Sequence, residues 1–119
     1  MIMDYDTELV RKSISEGKRL SGRAFDEVRP VSTELNVIRN AEGSAVVTLG
    51  KTRVICGLKA SLGTPYPDSP DAGSITVGIE MSPMADPRFE SGPPSSEAVE
   101  LSRVVDRGLR ESGAIDFTK

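Results

Sequence analysis

The sequence points to an α+β fold: a mostly antiparallel four-stranded sheet with a short leading helix and one long packing helix. Three features carry that reading. Four segments between Val31 and Met81 alternate apolar and polar residues, the middle two are joined by a tight turn, and residues 97–112 repeat apolar side chains at helical spacing. Period-two alternation gives a sheet one apolar and one wet face, the pattern of antiparallel strands.

Thr7 to Gly17 reads as a helix with Leu9, Val10 and Ile14 on one side, Asp6 as its N-cap and Gly17 as its stop. The polar stretch KRLSGRAFDEVRP gathers Lys18, Arg19, Arg23 and Arg29, diluted by Asp26 and Glu27. A structural or partner-binding role fits that group at least as well as an anion site. Pro30 favours an extended entry into the first strand. In Val31–Ile38, Val31, Thr33, Leu35 and Val37 alternate with Ser32, Glu34 and Asn36. The turn NAEG leads to Ser44–Leu49, where Ala45, Val47 and Leu49 share a face. Gly50-Lys51 then connects to Arg53–Ala60, with Val54, Cys56, Leu58 and Ala60 on one side. The fourth segment, Ser74–Met81, directs Ile75, Val77, Ile79 and Met81 inward.

Two proline-pinned loops, LGTPYPDSPDAG and SPMADPRFESGPPSS, interrupt this economy. Connections longer than about 12 residues are uncommon in compact domains and are often functional, although rigid surface loops explain them equally well. From Glu97 to Ser112, Leu101, Val104, Val105, Gly108 and Leu109 form the apolar stripe of the long helix, with Ser96 as a cap. Gly108 in that stripe would permit close approach to the sheet.

At 119 residues the chain fits a single domain spanning 1–119. Residues 112–119 add neither a strand nor a second helix, so a truncated domain is expected. With 15 basic and 18 acidic side chains, the overall charge does not point to nucleic acid, but it does not exclude RNA, because a local arginine cluster can act within a mildly acidic chain. One cysteine and no histidine argue against a disulfide, structural zinc and a histidine base, and Cys56 reads as a buried, inert thiol. The chain has no run of 18 apolar residues, and its start is too acidic and short for a signal peptide, so a cytoplasmic protein without membrane contact is expected.

Chemistry-bearing patterns are few. Arg103, Arg107 and Arg110 stand at i, i+4 and i+7, opposite the apolar stripe, and could present three guanidinium groups to a phosphate backbone. Asp106 precedes Arg110 by four residues and Glu111 follows Arg107 by four, so a solvated face laced by ordinary ion pairs explains part of the pattern. Arg88, between Asp86 and Glu90, is a weaker candidate contact for RNA or a partner. No nucleophile stands beside a base, and no glycine-rich fingerprint joins a strand to a helix. No catalytic residue and no metal site is assigned.

The blocks KRLSGRAFDEVRP, NAEGSAVVTLGKTRVICG, PDSPDAGSITVGIEMSP and PPSSEAVELSRVVDRGLRES resemble the ribonuclease PH family. More narrowly, they are similar to its non-catalytic ring subunits in the archaeal exosome. The combination spans nearly the whole chain and is specific, although each block alone would be weak. The resemblance implies a fold like the second domain of ribosomal protein S5. It also implies an alternating hexameric ring with a catalytic ribonuclease PH-like subunit, RNA-binding cap subunits, and single-stranded RNA as substrate. Degradation would run 3′ to 5′ by phosphorolysis. Inorganic phosphate would be a co-substrate of the partner's reaction, and no cofactor is expected.

Phosphorolysis must seat two anions together, which calls for guanidinium groups and backbone N–H groups. Catalytic relatives place an arginine pair just before the helix glutamate, where this chain has Ser95 and Ser96. The first long loop, TPYPDSPD, also lacks the basic residues those relatives use on RNA. Both departures imply a non-catalytic subunit. By resemblance, Arg103 and Arg107 contact RNA backbone near the partner's active site, with Arg110 a weaker candidate. The alternatives are a phosphorolytic exoribonuclease and a purely structural ring-assembly module.

Overall fold

A computed structural model describes residues 7–118. The chain divides into two compact units, the described parts of Asp4–Leu62 and of Gly63–Lys119.

The first unit begins with α1, Thr7–Ser15. The expected cap, Asp6, lies outside the described residues. At the other end the Lys18 N–H donates to the Ser13 carbonyl at 3.0 Å and the Gly17 N–H to Ile14 at 3.0 Å. This pair of bonds closes a helix on a left-handed residue, and Gly17 supplies it with φ +72°. The helix proper therefore stops two residues before the glycine. The Arg19 guanidinium then donates to the carbonyls of Ala24 and Glu27 at 2.9 and 3.1 Å, fixing the basic stretch between helix and sheet.

The sheet has three antiparallel strands in the order β1-β2-β3: β1 Val31–Leu35, β2 Gly43–Leu49 and β3 Thr52–Leu58. Its register pairs Val31 with Leu49, Leu35 with Ala45, Ala45 with Cys56 and Val47 with Val54. Within these strands the residues expected to share a face do so, but β1 ends at Leu35 and β3 at Leu58, so Val37 and Ala60 lie beyond the ladder. Gly50 opens the two-residue β2–β3 turn at φ +62°, and its N–H donates to the Pro30 carbonyl at 2.9 Å. A Cβ there would meet the Arg29 Cδ at 3.1 Å, so this position is restricted both sterically and conformationally.

At the other end of the β2–β3 hairpin, Glu42 acts as a clasp. Its carboxylate accepts from the Lys59 ammonium at 3.0 Å and the Ala60 N–H at 2.9 Å, while Lys59 also donates to the Asn40 carbonyl at 2.8 Å. The hydrogen bond from Lys59, and after it that from the Ala60 backbone, holds the Glu42 carboxyl below its ordinary pKa.

The two faces of the sheet differ in exposure. Val46, on the face opposite the shared apolar one, is buried, whereas Leu35 and Val54 on the shared face are 70% and 58% exposed. Cys56, expected to be buried, is exposed like every other residue of β3, although its cross-strand neighbour Ala45 is apolar.

In the second unit the expected fourth strand is not formed. Ile75, Val77, Ile79 and Met81 are half-buried while Thr76, Gly78 and Glu80 are exposed, so the predicted alternation holds. Yet Ser74–Met81 has no ladder partner among the described residues, and the described sheet has three strands, not four. Alternation is a local property of sequence. A strand also needs a second backbone for its N–H and C=O groups.

Helix α2, Ser96–Glu111, is the long element of this unit. Its covered line runs through Ala98, Ser102, Asp106 and Leu109; of the expected stripe Leu109 lies on that line, whereas Leu101, Val104 and Val105 remain exposed. A Cβ at Gly108 would meet no atom within 4 Å.

Candidate functional site

The arginine face is built on α2, and the helix is well specified at both ends. Ser95, rather than Ser96, is the N-cap: its backbone is extended and its hydroxyl accepts from the Ala98 N–H at 3.2 Å. Glu97 adds a favourable negative charge in the first turn and Arg110 a positive one in the last. The Ser112 N–H closes the helix on the Gly108 carbonyl at 3.1 Å.

Arg103 and Arg107 lie one turn apart on this frame, both exposed. Among the described residues neither guanidinium has a hydrogen-bond or ion-pair partner. The expected Arg107–Glu111 pair is absent from the structure, while the Asp106–Arg110 pair is present. Arg110 Nε donates to Asp106 Oδ2 at 2.6 Å, and its terminal nitrogen donates to Asp106 Oδ1 at 3.2 Å and to the Ile75 carbonyl at 2.6 Å. The bond to Asp106 raises the Arg110 pKa above its ordinary value. The three arginines are thus brought to one helix edge but in two states, two unengaged and one tethered.

The sites of possible phosphate chemistry look different. Ser95 spends its hydroxyl on the helix cap, and Ser96 beside it is exposed and uncharged. Arg88 turns back on its own loop: its backbone N–H and Nε reach Asp86 Oδ1 at 2.9 and 3.1 Å. Asp86 is buried, and those two bonds, the backbone one first, lower its pKa. The second basic group is divided as well. Arg19, Arg23, Phe25, Asp26, Glu27 and Arg29 line a shallow cavity of about 320 Å³, in which Arg19 is already held by carbonyls. Among the described residues no group of carboxylate, cysteine or histidine side chains could hold a metal ion. No described helix is long and apolar enough to cross a membrane.

Sequence reasoning missed the Arg110–Ile75 tether and the Glu42–Lys59 clasp. Their partners lie 35 and 17 residues apart, and no local spacing rule reaches that far. The Asp86–Arg88 hook was legible in principle, because an aspartate commonly accepts from the N–H two residues on.

The profile of the 3′ exoribonuclease family, domain 1, matches residues 27–119. The chain belongs to this family, the ribonuclease PH family. Within it, the chain is 52% identical over all 119 residues to the exosome complex component Rrp42 of Thermococcus kodakarensis, covering 42% of that protein. It is 49% identical over the same length to the Rrp42 component of Archaeoglobus fulgidus, covering 46%. The chain therefore spans less than half the length of these relatives. Among solved structures it is similar to the Archaeoglobus fulgidus exosome with RNA bound to the active site, at 50% identity and a TM-score of 0.87. That match covers 93% of this chain and 44% of the other. It is also similar to an archaeal exosome core at 44% identity and a TM-score of 0.76, over 93% and 40% of the two chains. These likenesses establish the ribonuclease PH fold.

Proposed function

We propose that this chain is part of a non-catalytic ring component of an archaeal exosome, supporting 3′-to-5′ phosphorolytic RNA degradation by a catalytic ribonuclease PH-like subunit. Its own contribution is to hold RNA backbone through Arg103 and Arg107 beside the partner's active site. The observation that carries this reading is the pair of exposed, unengaged guanidinium groups one turn apart on α2. They stand on a helix whose entrance offers hydroxyls, not cations. Likeness to a chain of an exosome with RNA bound to the active site supports the same assignment.

The physical division of labour is direct. An attacking phosphate and a scissile phosphodiester repel each other, and fixed cations must offset that repulsion before reaction. Serine at positions 95 and 96 supplies no such charge. Two free arginines are instead suited to positioning a phosphate backbone without reading its sequence.

The protein alone is expected to show no phosphate-dependent RNA decay, and decay should appear when the catalytic subunit is added. Robust phosphorolysis by the protein alone would overturn the non-catalytic assignment. In the assembled ring, Arg103→Gln with Arg107→Gln should weaken RNA binding and flatten its log–log salt dependence by about 1.4, or about 0.7 for each phosphate no longer neutralised. An unchanged slope would remove these residues from the RNA path.

A further inference from the structure

Asp106 is the carboxylate set between the two free arginines, three residues after Arg103 and immediately before Arg107. On a helix it can reach either Arg103, at i−3, or Arg110, at i+4. The structure assigns it to Arg110, through bonds of 2.6 and 3.2 Å to both carboxylate oxygens. The same guanidinium also holds the Ile75 carbonyl at 2.6 Å, so it is anchored from outside the helix as well as along it. Asp106 is more covered than its partner, with side-chain exposures of 28% and 45%, and it lies on the covered line of α2. An acid kept there is kept away from the exposed edge where Arg103 and Arg107 stand.

We infer that Arg110 is a positioning residue for the Arg103/Arg107 phosphate-binding face: by engaging Asp106 and the Ile75 carbonyl, it keeps the carboxylate from pairing with Arg103. This rests on the proposed RNA-binding role of Arg103 and Arg107. It gives Arg110 a task other than touching RNA. Two of its nitrogens, Nε and one terminal nitrogen, carry all three bonds, and one of those bonds ends on a backbone carbonyl outside the helix. Without Arg110, Asp106 becomes available to Arg103, and a guanidinium paired at i, i+3 is no longer free to meet a phosphate.

The test measures single-stranded RNA binding by the assembled ring across a salt series. Arg110→Gln should bind about tenfold more weakly, the worth of one charge-assisted phosphate contact, with the salt slope reduced by about 0.7. Adding Asp106→Asn to Arg110→Gln should restore both affinity and slope, since the competing acid is then gone. Adding Glu111→Gln to Arg110→Gln restores the same net charge but leaves Asp106 intact, and should not rescue. Asp106→Asn alone should bind at least as well as the unmodified protein.

If the Asp106→Asn double variant stays as weak as Arg110→Gln, then Arg110 touches phosphate itself or only supports the fold, and the inference is overturned. Equal rescue by Glu111→Gln would reduce the effect to net charge and overturn it too, as would weak binding by Asp106→Asn alone. The Arg103→Gln, Arg107→Gln variant runs alongside as the control for the underlying reading. If its binding is unchanged, the RNA-binding role fails first and this inference falls with it.

Discussion

At the scale of single residues, the two serines before α2 do different work. Ser95 caps the helix through its hydroxyl, while Ser96 already lies inside the first turn and is exposed to solvent. Ser95→Ala should therefore lower stability by about 1 kcal/mol, the usual effect of losing an N-cap, whereas Ser96→Ala should stay within about 0.5 kcal/mol. Urea midpoints of the two variants decide this, and equal shifts would mean the capping assignment is wrong. The arginines show the same dependence on immediate surroundings. Arg19, Arg88 and Arg110 are held by carbonyl or carboxylate oxygens of the chain itself, which leaves Arg103 and Arg107 as the unengaged cations of α2.

At the scale of elements, the β2–β3 hairpin is closed at one end by Gly50 and at the other by the Glu42 clasp. The clasp carries a pH dependence whose sign is set by the depressed carboxyl. The unfolded chain binds the Glu42 proton more tightly than the folded one, so the clasp's stabilisation is fully present above the ordinary value of 4.5. It is lost as pH falls through the lower folded value. Glu42→Gln should accordingly reduce stability at neutral pH and flatten its dependence in the acid range, with the two proteins converging at low pH. Thermal or urea denaturation at several pH values checks it, and a constant gap between them across all pH would refute the clasp. Segment Ser74–Met81 makes the complementary point about elements. Its alternation survives, but among the described residues its backbone finds no ladder.

At the scale of the whole molecule, each of the two units carries large apolar side chains that are exposed. The shared face of the sheet exposes Val31, Leu35, Val54 and Leu58, and α2 exposes Leu101 and Val104. Patches of this kind mark interaction surfaces or association hazards. The 119-residue polypeptide is therefore expected to associate with rising concentration and to bind an apolar dye. Val54→Lys should reduce both, while Glu34→Lys, on the opposite face of the sheet, should not. Sedimentation at several concentrations reads this out, and a monomer with no dye signal at high concentration would count against it.

Local patterning was enough to set the two helices, the register faces of β1, β2 and β3, the glycines at the Gly17 stop and the Gly50 turn, and the arginine edge of α2. These rest on periodicity, capping and backbone allowance, all of which act within a few residues. Three-dimensional packing settled the remainder: among the described residues Ser74–Met81 has no ladder, Cys56 is exposed, α2 is covered along Ala98, Ser102, Asp106 and Leu109 while most of its apolar stripe is exposed, and Arg110 is the tethered arginine. Each of those depends on a group brought from far along the chain, or on its absence, and residue spacing carries no information about either.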